Sequence, residues 1–276
     1  MLKQSANLEQ MNMKDFSPVA TKNYELLVGY DKEEKPIIIN VNKNPHLLIV
    51  GDCRMGKSKL LQQIITNIIY NNPNVEIYLS QVSKNDLKPF IKYNNVGACS
   101  NGFMALESVL NKLTEELKVR EEKIYNMTKN FKGENIEDYN KLNKDKMEYI
   151  YLILDDYNDL IEDAYLDNKE IKETKRQIQN KIASILQFGG KCGIQVIIST
   201  ILCKDFMNVC QKHLALTCNK LLFRIQNNVN ARMLIGGTEN CYLKQQYFIL
   251  NNDKKINGMT YNINIEDIGR ILDKIQ

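Results

Sequence analysis

The stretch Gly51-Asp52-Cys53-Arg54-Met55-Gly56-Lys57-Ser58 has the spacing G-x-x-x-x-G-K-[ST]. Its flanks restrict what the surrounding chain can be. His46-Leu47-Leu48-Ile49-Val50 reads as a short buried strand, and Ser58 to Ile65 as the opening turns of an amphipathic helix. Strand, glycine-bounded loop and helix together form the context that identifies a phosphate-binding loop. Gly51 and Gly56 let the backbone curl so that its N–H groups face phosphate oxygens, and the helix N-terminus adds partial positive charge at the same point. Lys57 is placed to reach the β- and γ-phosphates and the Ser58 hydroxyl to ligate Mg²⁺. The expected nucleotide contacts are Gly51, Asp52, Cys53, Arg54, Met55, Gly56, Lys57, Ser58 and Lys59, with ATP and Mg²⁺ as the cofactors.

Such a loop needs a sheet behind it, and the rest of the chain supplies one. Tyr24–Gly29 and Pro36–Val41, either side of a charged turn, predict a β-hairpin. The helix after the loop is expected to reach about Tyr70, where Asn71-Asn72-Pro73-Asn74 breaks it. Val75–Leu79 is the next strand, followed by a long, charge-rich helix over 104–129 and a second polar helix over 134–146. Tyr149–Leu154 is a near-continuous apolar run, as a parallel strand covered on both faces requires. A polar helix over 169–188 closes at Gly189-Gly190, and Ile194–Thr200 and Lys220–Ile225 give two more strands. Strands at 246–250 and 258–263 and a helix at 265–275 complete an α/β fold with a mostly parallel central sheet flanked by helices. Residues 1–23 are polar and aperiodic and are expected to form a flexible lead-in to a single domain over 24–276.

Asp155 ends the apolar run at the carboxyl end of its strand, where α/β sheets hold ligands. It is the candidate second Mg²⁺ ligand beside Ser58. Asp156 is the candidate to orient or deprotonate the attacking water.

Composition excludes several alternatives. No apolar run approaches the roughly 18 residues that span a bilayer, and Met1–Ser5 does not open a signal peptide, so a cytoplasmic protein is expected. Seven scattered cysteines without a C-x-x-C, and two histidines, support neither a disulfide framework nor a zinc site. A net charge of +4 permits nucleic acid as a partner without arguing for it.

Segments in order along most of the chain resemble the FtsK/SpoIIIE motor ATPases, RecA-like relatives of HerA. Gly29-Tyr30-Asp31 with Pro36-Ile37, and Asn44-Pro45-His46 into the loop, are similar to the family's hairpin and its entry to Walker A. Glu115-Glu116-Leu117 with Arg120, then Asn135–Asn140, resemble the helix and the segment before Walker B. Leu154–Leu160, Cys192–Thr200 and Lys220–Leu234 match the family's later motifs. The resemblance implies a hexameric ring that draws double-stranded DNA, or in secretion relatives a protein, through a pore, with ATP held between subunits. It makes Arg232 and Arg224 the candidate arginine fingers, with Arg120 behind them. It also implies recruitment by a membrane-bound, relaxosome or secretion partner. The chain is expected to leave no room for the family's N-terminal membrane helices or C-terminal winged helix, which points to a conjugative or other mobile-element motor.

The departures from the family pattern lie at the site. Asp156 stands where the family has glutamate, Ile201 where it has glutamine, and Asp52-Cys53-Arg54-Met55 replaces a small, neutral loop interior. Nucleotide binding is expected from these residues, with reduced turnover.

Overall fold

The computed structural model describes residues 11–81, 86–100, 102–158, 168–201 and 219–275. It has a mostly parallel central sheet with flanking helices, extended by antiparallel strand pairs that include the N-terminal hairpin. The chain divides into two compact units, one taking in the described parts of Met1–Pro73, Ile198–Leu202 and Thr217–Gln276, the other those of Asn74–Ile197.

In the first unit β3 (Leu47–Val50) lies parallel to β8 (Asn219–Leu222) in the register Val50 to Leu222. From β8 the sheet continues antiparallel through β9 (Tyr247–Asn251), β10 (Lys255–Met259), β1 (Glu25–Tyr30) and β2 (Pro36–Asn40). Every side chain of β3 is buried, which explains why its four residues carry no polar position. Helix α1 (Lys57–Asn71) leaves β3 through the glycine-bounded loop and buries Leu60, Leu61, Ile64, Ile65 and Ile68. Each of its ends falls within one residue of the sequence expectation.

Residues 11–23, the described part of the expected lead-in, are fastened to this unit. Asn67 Oδ1 accepts from the Val19 amide at 2.9 Å, and Asn71 Nδ2 donates to the Val19 carbonyl at 2.9 Å. The Phe16 amide donates to the Asn262 carbonyl at 2.8 Å, and the Phe16 ring is buried edge-on against Tyr261.

In the second unit β4 (Glu76–Gln81) runs parallel to β5 (Val96–Ser100) on one side and to β6 (Ile150–Asp155) on the other. β7 (Ile194–Thr200) follows, its last three residues counting with the first unit. Helix α2 (Phe103–Lys129) presents Leu106, Leu110, Leu113, Leu117 and Ile124 inward, the stripe read from the sequence. The polar helix expected over 134–146 is the shorter α3 (Ile136–Leu142). Asn140 ends it: its amide donates to the Met147 carbonyl at 2.9 Å, and its carbonyl oxygen accepts the Met147 N–H at 2.8 Å. Those bonds reward an extended return toward β6 over another helical turn. Helix α4 (Lys169–Phe188) begins at an Asn168 cap and ends at Gly189 as expected.

The elements toward the C-terminal end of the described residues follow the same logic. The strand expected at 258–263 begins earlier, as β10, because its partner is β9 across a tight hairpin. Helix α5 (Asn228–Ile235) is capped by Asn227, and α6 (Ile265–Leu272) by an Asn264–Asp267 capping box.

Candidate functional site

The loop between β3 and α1 is built from backbone conformation first. Arg54 and Gly56 both hold positive φ, 61° and 117°, with Met55 between them outside the left-handed region. Alternation of this kind turns successive N–H groups to one side and makes an anion-binding concavity. Helix α1 then starts with no side-chain cap and no acid in its first turn. It places Lys57 and Lys59 there instead. Cations at a helix N-terminus oppose its dipole, so the arrangement suits an anion supplied from outside.

Lys57 is buried, and its Nζ donates to the Gly51 carbonyl at 2.7 Å and the Asp52 carbonyl at 3.0 Å. The ammonium is thereby held against the loop, where a phosphate can take over its hydrogen bonds. The described residues thus fit a nucleotide phosphate tail: a concave run of amides, an uncapped helix start and a buried ammonium.

The loop sits on partners that the motif does not contain. A Cβ on Gly51 would lie 2.6 Å from the Phe223 Cβ, so only glycine fits there. The Gly51 amide points to the Thr200 carbonyl at 3.4 Å, and the Asp52 amide donates to the Arg224 carbonyl at 2.9 Å. Met55 accepts from the Gln246 amide at 2.9 Å. Asp52, the acid of the loop interior, has its carboxylate bonded to the Gln226 N–H at 3.1 Å. Phe223, Gln226 and Gln246 were not singled out in the sequence. They lie far along the chain from the loop, and no local spacing marks them.

The remaining expected site residues are placed as follows. Ser58 is half-buried in the first turn of α1, and Cys53 and Arg54 are exposed on the loop. In the second unit Asp155 and Asp156 are both buried at the end of β6. Asp155 Oδ1 accepts the Asp156 N–H at 3.1 Å, and Asp156 has φ 51°. Left-handed backbone favours Asp and Asn among residues with a side chain.

The three candidate arginines differ sharply. Arg120 is buried on α2; its Nη1 donates to the Glu148 carbonyl at 2.7 Å and the Cys192 carbonyl at 3.0 Å, and its Nε to Glu116 at 2.7 Å. Its donors tie α2 to the chain before β6 and before β7, which is a structural assignment. Arg224 is half-buried just beyond β8, and Arg232 is exposed on α5. Cys192, beside the Arg120 clamp, has its thiol pushed up to about 12 by burial and by the Glu121 charge. Burial also raises the Cys241 thiol, and the Asp52 charge adds to it.

The FtsK/SpoIIIE family model matches residues 9–206. The DNA translocase FtsK of Staphylococcus epidermidis is 28% identical over 191 residues, covering 64% of this chain and 22% of the relative. The DNA translocase SftA of Bacillus subtilis is 26% identical over 181 residues, covering 63% of this chain and 18% of the relative. The chain thus spans only a minor part of either relative's length. Among solved structures, the pCW3 conjugation coupling protein TcpA, a monomer form with ATPγS, superposes with TM-score 0.80 at 16% identity over 98% of this chain and 76% of that one. EssC ATPases 2 and 3 from Geobacillus thermodenitrificans give TM-score 0.77 at 15% identity, over 96% of this chain and 51% of that one. At these identities the superpositions show the fold. Among the described residues, no helix is long and apolar enough to cross a membrane.

Proposed function

Because this chain belongs to the FtsK/SpoIIIE family, we propose that it is a nucleotide-driven motor domain whose loop Gly51–Ser58 binds ATP to move double-stranded DNA. The observation that carries the reading is the loop itself, with alternating backbone at Arg54 and Gly56, Lys57 buried against it, and no cap on α1. The matched DNA translocases support DNA as the substrate, and the working form is a homo-oligomer, a hexameric ring. Lys57 binds the β- and γ-phosphates, and Ser58 and Asp155 are the protein ligands for Mg²⁺. The metal supplies charge neutralisation on the transferred phosphoryl group. Asp156 holds the attacking water for in-line displacement, and Arg232 or Arg224 reaches a neighbouring subunit's γ-phosphate. The domain acts in the cytoplasm, with a membrane-bound, relaxosome or secretion protein as its recruiting partner.

The test is ATP hydrolysis with and without saturating double-stranded DNA, alongside solution mass with a bound ATP analogue. DNA-stimulated turnover that vanishes in Lys57→Ala is the expected result. An unchanged rate with DNA would remove DNA translocation. Capture of a small helical protein at low salt without DNA binding would move the reading to the type VII secretion kind.

A second reading rests on Asp156 and Ile201. A shorter carboxylate and an apolar side chain replace the family's two polar groups, which favours a nucleotide-binding scaffold with impaired turnover. Tight ATP binding without measurable hydrolysis, with or without DNA, distinguishes it.

A further inference from the structure

Of the two left-handed positions in the loop, one is glycine and the other is Arg54, at φ 61°. Glycine takes this conformation freely, whereas an arginine brings its Cβ against the following carbonyl. Backbone strain of this sort persists where the surroundings enforce it, and it concentrates at functional sites.

The side chain at this costly position is exposed and makes no hydrogen bond or ion pair with any described residue. Three of the other five arginines are engaged, Arg120 inside the second unit, Arg176 with Glu173, and Arg270 with Asp267, whereas Arg232 is likewise exposed. Asp52, the acid of the same loop, is committed to the Gln226 N–H and forms no ion pair with Arg54. Without Arg54 the formal charges of Asp52 and Lys57 cancel; with it the loop carries a net positive charge toward a polyanion.

We infer that Arg54 reads the phosphate tail in cis: its guanidinium pairs with the terminal phosphate of a bound nucleoside triphosphate and favours it over the diphosphate. This rests on the nucleotide-binding reading of the loop. The planar fork of a guanidinium matches two phosphate oxygens at once, which a lysine cannot reproduce.

The experiment is competition binding of ATP and ADP to the full chain and its Arg54→Gly, Arg54→Lys and Lys57→Ala variants, each checked by thermal melting. Arg54→Gly melts no lower than the parent, because glycine suits this backbone. Its ATP affinity falls about tenfold or more while its ADP affinity changes less than about threefold. Arg54→Lys recovers only part of the loss. Should Arg54→Gly keep the parent's ratio of ATP to ADP affinity while Lys57→Ala loses both nucleotides, the inference falls and the loop reading stands. An equal loss of ATP and ADP in Arg54→Gly also overturns it. If the parent binds neither nucleotide, both fall together.

Discussion

The Asp52 carboxylate accepts the backbone N–H of Gln226 at 3.1 Å, while the Asp52 amide donates to the Arg224 carbonyl at 2.9 Å. An acid in a phosphate-binding loop has thereby been turned into a pin between the loop and the end of β8. The two roles of this side chain, acceptor and charge, can be separated. Asp52→Asn keeps an acceptor for Gln226 and removes the repulsion toward phosphate. It is expected to melt close to the parent and to bind ATP several-fold tighter at low salt, with the gain shrinking as salt rises. Asp52→Ala loses the pin and should cost about 1 kcal/mol in denaturant unfolding. Equal behaviour of the two variants would show that the bond to Gln226 carries no weight.

Arg120 and Arg232 should respond oppositely to truncation. Removing Arg120 leaves the Glu148 and Cys192 carbonyls without their donor in a buried setting, at about 1–3 kcal/mol for each such group. Arg120→Ala should therefore unfold at markedly lower denaturant, and Arg120→Lys should not rescue it, since an ammonium lacks the fork. Arg232 is exposed, so Arg232→Ala should leave stability within about 0.5 kcal/mol. If Arg232 is the trans finger, the same variant loses roughly three to five orders of magnitude in turnover. Paired unfolding curves and steady-state rates check both.

How far these roles could be read from the chain depends on how local their cause is. The loop with its flanking strand and helix was legible because glycines, an apolar run and a helical stripe are consecutive. The same holds for β6 ending in Asp155 and for α4 closing at Gly189. Arg120 stood among the candidate arginines because its partners, Glu148 and Cys192, lie in other segments and leave no local mark. The structural bond of Asp52 left no local mark either, because Gln226, which engages it, is equally remote. β5 went unread: its Val96-Gly97-Ala98-Cys99-Ser100 is small and weakly patterned, and pairing with β4 makes it a strand. The overlong reading of α3 failed because a helical pattern does not reveal the Asn140–Met147 bonds that stop it.

Cys192 and Cys53 give the chain an alkaline signature and a labelling contrast. The Cys192 thiol is raised to about 12 by burial, so the folded state holds its proton where the unfolded chain has released it. A raised folded value means that the stabilisation is full below the unfolded thiol's pKa of about 8.5 and is lost as pH climbs toward 12. Burial raises Tyr30, Tyr78 and Tyr261 as well, and they act in the same sense. Unfolding free energy should thus decline from about pH 9 upward, and Cys192→Ala should flatten part of that decline. At neutral pH a thiol reagent should modify exposed Cys53 ahead of Cys192, which stays protected until the fold opens. Rapid Cys192 labelling under native conditions would contradict the buried placement.

In the proposed mechanism Asp156 joins backbone conformation to turnover. Its φ of 51° is tolerated by Asp better than by longer side chains, so the residue that shortens the carboxylate is also the one that suits the turn after β6. Restoring the family's glutamate should therefore carry a structural cost. Asp156→Glu alone is expected to lose about 1 kcal/mol of stability through strain at this position. Asp156→Asn keeps the left-handed preference and removes the negative charge, so it should hold its stability, bind ATP and lose hydrolysis. The double variant Asp156→Glu, Ile201→Gln supplies both polar groups that the family carries, and its turnover should exceed the parent's despite the lower stability. Single-turnover rates at saturating ATP, measured well below each variant's melting temperature, separate the chemical gain from the folding loss. No gain in the folded double variant would mean that these two positions do not limit hydrolysis, and that the water is held by another group.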